Sequence, residues 1–175
     1  TRDDAAGEAF DKGARIFGLG YPGGPAIERK AHGGDSTKYH FPRILLSKDS
    51  LDFSFSGLKT SLLYFMDDFT ETKSISLSDI IASYQQAIID TLVEKTRRAL
   101  DQTGAKRCII AGGVAANQCL RDRLNIILPD NDMLFPDFSL CTDNAAMISY
   151  LGQLKYQSNF FKKLDFSVIP NLKLV

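Results

Sequence analysis

The stretch "CIIAGGVAANQCLRDRL", residues 108–124, constrains the fold more than any other part of the chain. A short apolar run stops at two adjacent glycines, and small residues then lead into a basic amphipathic segment. The run predicts a strand over 108–111, and the segment after Gly113 predicts a helix through Leu124. A strand that ends at glycines just before a helix leaves backbone N–H groups free at the positive end of the helix dipole. Gly112 and Gly113 carry no Cβ, so a phosphate or a nucleotide sugar could come close to the backbone there. Neither the GxxxxGK[ST] nor the GxGxxG spacing is present, and a tight turn with no ligand also accounts for the pair.

The chain has 175 residues, 44% of them hydrophobic, enough for one sizeable core or two small ones. No segment reaches the roughly 18 uninterrupted apolar residues of a membrane span, and the opening "TRDDAAGEAF" lacks the features of a signal peptide. A cytoplasmic location is therefore expected. Cys108, Cys119 and Cys141 lie far apart with no CxxC pair, which suggests neither a disulfide framework nor a zinc knuckle and predicts reduced, mostly packed thiols. Lys plus Arg and Asp plus Glu both number 21, so any contact with a polyanion must use a local patch or a partner. The chain opens directly into a helix pattern, and the expectation is a piece of a longer protein.

Alternating element types run along the chain. Ala6, Phe10, Ala14 and Phe17 recur at helical spacing, with Asp3 or Asp4 placed to cap and Glu8 and Lys12 placed to pair. Glycines 18 and 20 end that helix, and Pro25 is placed to start a second one after the "YPGG" turn. Residues 41–46 read as extended. In "DFSFSGLKT" Phe53 and Phe55 alternate with serines, which predicts a half-buried strand before a helix from Leu58. A polar segment, "DDFTETKSIS", precedes the longest helix signal. Ser76 or Ser78 caps that helix, Ile80, Ile81, Tyr84, Ile88, Leu92 and Ala99 mark its apolar face, and Gly104 stops it. Its basic "EKTRRAL" end reads as a solvated face. A second strand is predicted over 133–135 and a last helix from Thr142 or Asp143, giving an α/β class.

Two further groups could carry chemistry. Asp143, in "CTDNAAMI", stands where a helix should begin, so capping explains it; the sharper alternative is a carboxylate that binds a metal or orients a nucleophile. One carboxylate does not hold a catalytic metal, and His32 and His40 are not at the one-turn spacing that brings two imidazoles to one helix face. Asp11 lies on the first helix, where a carboxylate facing a glycine-rich loop could accept hydrogen bonds from ribose hydroxyls.

Taken together, "DDAAGEAFDKGARIFGLGYPGGPAIE", "DFSFSGLKT", "AGGVAANQCLR" and "CTDNAAMI" resemble the C-terminal half of the TsaD/Gcp family, the tRNA threonylcarbamoyladenosine transferases. The blocks occur in the family's order and cover most of residues 3–152. The resemblance implies an actin-like, Hsp70-like ATPase (ASKHA) fold, here its C-terminal lobe over residues 1–140, with a metal-ligand loop and terminal helix over 141–175. It implies transfer of a threonylcarbamoyl group from threonylcarbamoyl-AMP to the exocyclic amine of the adenosine 3′ of the anticodon, in tRNAs that read ANN codons. On this resemblance Gly112, Gly113 and Asn117 contact the nucleotide, Asp11 binds the ribose, Gly24 lines the pocket, and Glu28 adds a contact found in part of the family.

Asp143 matches the family's metal-ligand aspartate, the ion being one divalent metal, Fe2+ or alternatively Zn2+. Its companions in the family are the two histidines of an HxxxH motif that this chain lacks, so the chain alone is expected to be inactive. The implied partners are tRNA, a paralogous actin-like subunit and a small ATPase. No catalytic side chain is assigned, and "FSFSGLK" has no role beyond a buried strand and turn. Two rival readings stand beside this one: a sugar- or acetate-kinase-type ATPase of the same superfamily, and a non-catalytic scaffold of a tRNA-modification complex.

Overall fold

The computed structural model describes residues 1–45, 47–67, 76–129, 132–160 and 167. Two compact units are present, residues Thr1–Cys141 and Thr142–Val175. Six helices, α1 (Ala6–Ile16), α2 (Gly23–Ala31), α3 (Ser56–Asp67), α4 (Leu77–Thr103), α5 (Gln118–Ile127) and α6 (Ala145–Gln157), and two strands, β1 (Arg107–Ile109) and β2 (Asp132–Leu134), are found among the described residues. The strands pair in parallel with Cys108 opposite Met133. The polar segment over 68–75 and most of the tail after Phe160 lie outside the described residues.

Helix α4 organises the first unit. Its 27 residues extend about 40 Å at 1.5 Å per residue, long enough to serve two cores in succession. Ile80, Ile81, Tyr84 and Ile88 meet Phe10, Ala14, Ile27, Phe41, Leu58 and Leu62 in the first. Ile89, Val93 and Leu100 meet Leu120, Leu124 and Leu128 in the second, with Cys108, Ile110, Met133 and Phe135 packed against them. The helix ends as expected at Gly104, whose φ of 67° lets its N–H turn back to the Leu100 carbonyl. Tyr84 is fully buried, its hydroxyl donating to the Ala9 carbonyl at 2.9 Å. Its ring fills the space over Gly13, where a Cβ would stand 2.8 Å from the ring carbon Cζ.

The basic end of α4 is only in part a solvated face, since Arg98 is largely covered and donates to the Leu45 and Ser47 carbonyls. Arg97 and Arg98 bond to Glu94, and those hydrogen bonds hold the Glu94 carboxyl down to about 2. Lys95 is instead 1% exposed, and its ammonium donates to the carbonyls of Leu45 and Ser50. A buried ammonium requires such acceptors, and burial pushes its pKa down. Lys95 thereby ties Leu45 and Ser50 to the helix.

The caps are assigned differently from the expectation. Ser76 precedes α4 without a side-chain cap. Helix α1 starts after Ala5, whose N–H donates to Glu8 at 3.2 Å, while Asp4 pairs with Lys12 at 2.5 Å and Glu8 stands 3.5 Å from it. Asp3 caps a helix distant in sequence. Its carboxylate accepts from the Ser54 hydroxyl (2.6 Å), the Phe55 N–H (2.8 Å) and the Ser56 hydroxyl (2.7 Å) at the start of α3. Residues 51–55 form no strand; a single backbone bond joins them to the chain's first residues, Arg2 N–H donating to the Phe53 carbonyl at 2.8 Å. Helix α3 begins at Ser56, two residues before the expected start. Helix α2 likewise begins at Gly23, with Pro25 inside its first turn, where a missing N–H costs nothing.

These bonds, that from Ser54 first, hold the Asp3 carboxyl well below the usual carboxylate range. A depressed carboxylate contributes stability that is present above its unfolded pKa, about 3.9, and lost as pH falls through the folded value. Asp3→Ala is expected to lower unfolding stability at pH 7 by about 1 kcal/mol, as for a lost cap, and the deficit to shrink below pH 4. Denaturant melts at the two pH values measure it; equal deficits at both would rule out the ionised cap.

Candidate functional site

Asp11 sits on α1 with its Oδ1 accepting from the Gly23 N–H at 2.8 Å, which caps α2. The approach is possible only because Gly23 has no side chain: a Cβ there would lie 2.5 Å from the Asp11 Cα and 2.7 Å from the Phe10 carbonyl oxygen. Gly24 is different. Nothing lies within 4 Å of its Cβ position, so its missing side chain leaves open space rather than room for α1. Glu28, one turn further along α2, accepts from the Gln118 N–H at 2.6 Å, at the first residue of α5. Two carboxylates placed at helix N-termini thus link α1 to α2 and α2 to α5.

The glycine turn follows β1. Gly112 adopts φ 90° and ψ 170°, a region that only glycine enters at low cost, and nothing stands within 4 Å of its Cβ position. The single helix expected after Gly113 is two pieces: a 3-10 turn, Gly113–Ala116, and α5. Asn117 separates them in an extended conformation, φ −70° and ψ 119°. Its Oδ1 accepts from the Leu120 N–H at 2.9 Å and its Nδ2 donates to Gln85 at 3.2 Å, with the residue 6% exposed. One lone pair of the Asn117 oxygen and one of its amide protons are therefore engaged, which leaves a ligand the second lone pair and the second amide proton.

Two cavities flank this assembly. One of about 350 Å³ lies between α2 and α5 and includes Glu28, His32, Gln118, Cys119, Asp122 and Arg123 in its lining. The other, about 300 Å³ and mostly apolar, lies under the glycine turn against Gly7, Leu92, Thr96 and Leu120. His32 and Cys119 share the first cavity, but burial pushes the Cys119 thiol up, away from a thiolate nucleophile. All three cysteines are free, Cys108 and Cys119 half-buried and Cys141 buried.

Asp143 belongs to the second unit. It is exposed and does not cap α6; Asn144 does, its side chain accepting from the Met147 N–H at 3.0 Å. The capping explanation for Asp143 is thereby removed. Among the described residues no three His, Cys, Asp or Glu side chains converge on a point where a metal could sit. These residues do not fit a resident metal on their own, since one carboxylate leaves most of the coordination shell unfilled.

Of the residues named from the sequence, Asp11 bonds to Gly23 and Glu28 to Gln118, Glu28 lines the α2–α5 cavity, Gly112 and Gly113 line the cavity under the glycine turn, and Asp11, Gly24 and Asn117 line neither of these two. Sequence reasoning read the glycine pair of "PGGP" as a close approach, which holds at Gly23, but named only Gly24 for the site. It also missed Gln85, whose polar side chain lies buried on α4 and holds Asn117. No described helix is long and apolar enough to cross a membrane.

The family model described as tRNA N6-adenosine threonylcarbamoyltransferase matches residues 1–150. Curated relatives of that name include one from Kosmotoga olearia, 49% identical over all of this chain and 52% of the relative. Others are from Listeria innocua, 45% identical over 99% of this chain and 52% of the relative, and Salinibacter ruber, 46% over 99% and 54%. The chain spans about half the length of the curated relatives it matches, their C-terminal half. With a family model over most of its length and relatives that cover nearly all of it, the chain belongs to the tRNA N6-adenosine threonylcarbamoyltransferase family.

Proposed function

We propose that this chain is the nucleotide-handling half of an enzyme that transfers a threonylcarbamoyl group from threonylcarbamoyl-AMP to the N6 amine of the adenosine 3′ of the anticodon, in tRNAs that read ANN codons. It would form the C-terminal lobe of an actin-like fold. The observation that carries the reading is the linked set of carboxylate and glycine positions from Asp11 to Asn117, found in a chain whose family is named for this transfer. Asp11 has one carboxylate oxygen bonded to Gly23, which leaves the other to accept from ribose hydroxyls. Nothing stands within 4 Å of the Cβ positions of Gly24 and Gly112, and the α2–α5 cavity beside Glu28 has room for a base.

The chemistry asks for positioning more than for a nucleophile on the protein. Threonylcarbamoyl-AMP is a mixed anhydride: the tRNA amine attacks its acyl carbon, a C–N bond forms, the C–O bond to phosphate breaks, and AMP leaves as the amine loses a proton. Holding the adenosine end fixes the acyl carbon for the amine, and oriented N–H groups stabilise charge on the leaving phosphate. Asp143 would supply one oxygen ligand to a divalent metal, Fe2+ or Zn2+, completed by residues outside this chain. The reading also carries a cytoplasmic location and the partners that the resemblance implies: tRNA, a paralogous actin-like subunit and a small ATPase.

The test is mass spectrometry of tRNA nucleosides after incubation with ATP, threonine and bicarbonate. A protein of full family length carrying this chain, supplied with its partners, is expected to yield threonylcarbamoyladenosine, and the chain alone none. Product from the chain alone would overturn the division of labour. Absence of product from the complete assembly, with ATP consumed on a sugar or acetate, would favour a kinase.

A further inference from the structure

We propose that Arg121 is a positioning residue for the nucleotide turn, holding residues 112–116 in shape through the Ala115 carbonyl. The inference rests on the nucleotide reading of that turn. Arg121 is the fourth residue of α5, near the positive end of the helix, where a cation is least favoured locally, so its contacts elsewhere must account for its placement. Nε donates to the Ala115 carbonyl at 2.7 Å, and Nη2 donates to the Pro136 carbonyl at 2.7 Å and faces the Cys141 sulfur at 3.4 Å. The guanidinium carbon lies 4.1 Å from the Phe138 ring centroid and 5.2 Å from that of Phe135.

The guanidinium is thus held by two carbonyls and lies over two aromatic rings, and among the described residues no carboxylate pairs with it. Its target matters. The Ala115 N–H closes the turn on the Gly112 carbonyl at 2.9 Å, so the residue whose carbonyl Arg121 holds is the one that locks Gly112 in its open conformation. Asn117 fixes the other end of the turn as the α5 cap. Leu120 and Leu124 bury α5 independently of Arg121, so losing the guanidinium frees the turn without undocking the helix.

The test uses a protein of full family length carrying this chain, as wild type, Arg121→Lys and Arg121→Met. Affinity for AMP is measured by calorimetry, alongside KM for the adenylate, kcat and the thermal midpoint. Lysine can reach one carbonyl but not both, so Arg121→Lys is expected to weaken AMP binding by about tenfold and Arg121→Met by roughly thirtyfold. KM should rise in step while kcat changes by less than about twofold. A lowered midpoint with unchanged AMP affinity in both variants would make Arg121 structural only and overturn the proposal, as would a wild type that does not bind AMP. A wild type that binds AMP yet makes no threonylcarbamoyladenosine would sink the reaction assigned above, and the AMP titrations would still decide the role of Arg121.

Discussion

Alanine at Gly23 is expected to destabilise the first unit by about 3 kcal/mol, whereas alanine at Gly24 is expected to stabilise it slightly. At Gly23 the new methyl would meet the α1 backbone, 2.5 Å from the Asp11 Cα, and a helix backbone yields less readily than the end of a side chain. For a unit of this size the thermal midpoint should fall by roughly 6–12 °C. Asp11 would also lose its bond to the Gly23 N–H, so AMP affinity should fall with stability. At Gly24 the Cβ meets nothing, and replacing a helical glycine gains about 0.5–1 kcal/mol. Gly24→Ala should therefore raise the midpoint by about 2 °C while weakening AMP binding if the open space beside it is the pocket. Unchanged AMP affinity in Gly24→Ala would remove Gly24 from the site, and a midpoint unaffected by Gly23→Ala would contradict the α1–α2 packing.

Asp143→Ala should abolish product, by on the order of a thousandfold, without lowering the thermal midpoint. The side chain is exposed, and the helix that follows keeps its cap through Asn144. Asn144→Ala is the control: it loses the cap, about 1 kcal/mol, but retains the carboxylate. In a protein of full family length, elemental analysis should find bound metal in wild type and Asn144→Ala and only background in Asp143→Ala. Metal retained and product formed by Asp143→Ala would reduce Asp143 to a surface residue.

Particular elements show why some features were legible in the sequence and others were not. Helix α4 was legible because its apolar residues repeat at helical spacing and a glycine stops it, both local properties of the chain. Strands β1 and β2 were placed to within two residues from short apolar runs. The break at Asn117 was not read from the sequence, since "GGVAANQCLRDRL" is compatible with one continuous helix; in the structure Asn117 caps α5 on the Leu120 N–H and also donates to Gln85 of α4. Asp3 looked like a cap for the adjacent helix because "DDAAGEAF" has that local form. It caps α3 because the 51–56 segment folds back beside it. Lys95 looked like one more surface cation until two loop carbonyls were placed over it.

The sequence by itself determined the family, the alternation of element types and the set of candidate residues, because motifs, periodicity and glycine placement are written in order along the chain. Only the tertiary structure decided what each of those residues is bonded to. Asp11 on Gly23, Glu28 on Gln118, Asn117 on Gln85 and Arg121 between Ala115 and Pro136 are contacts across the turn or between different elements, not ones given by helical or strand periodicity. A carboxylate or guanidinium satisfies its hydrogen-bonding capacity with whichever partner packing brings within about 3 Å, and sequence spacing does not encode that distance.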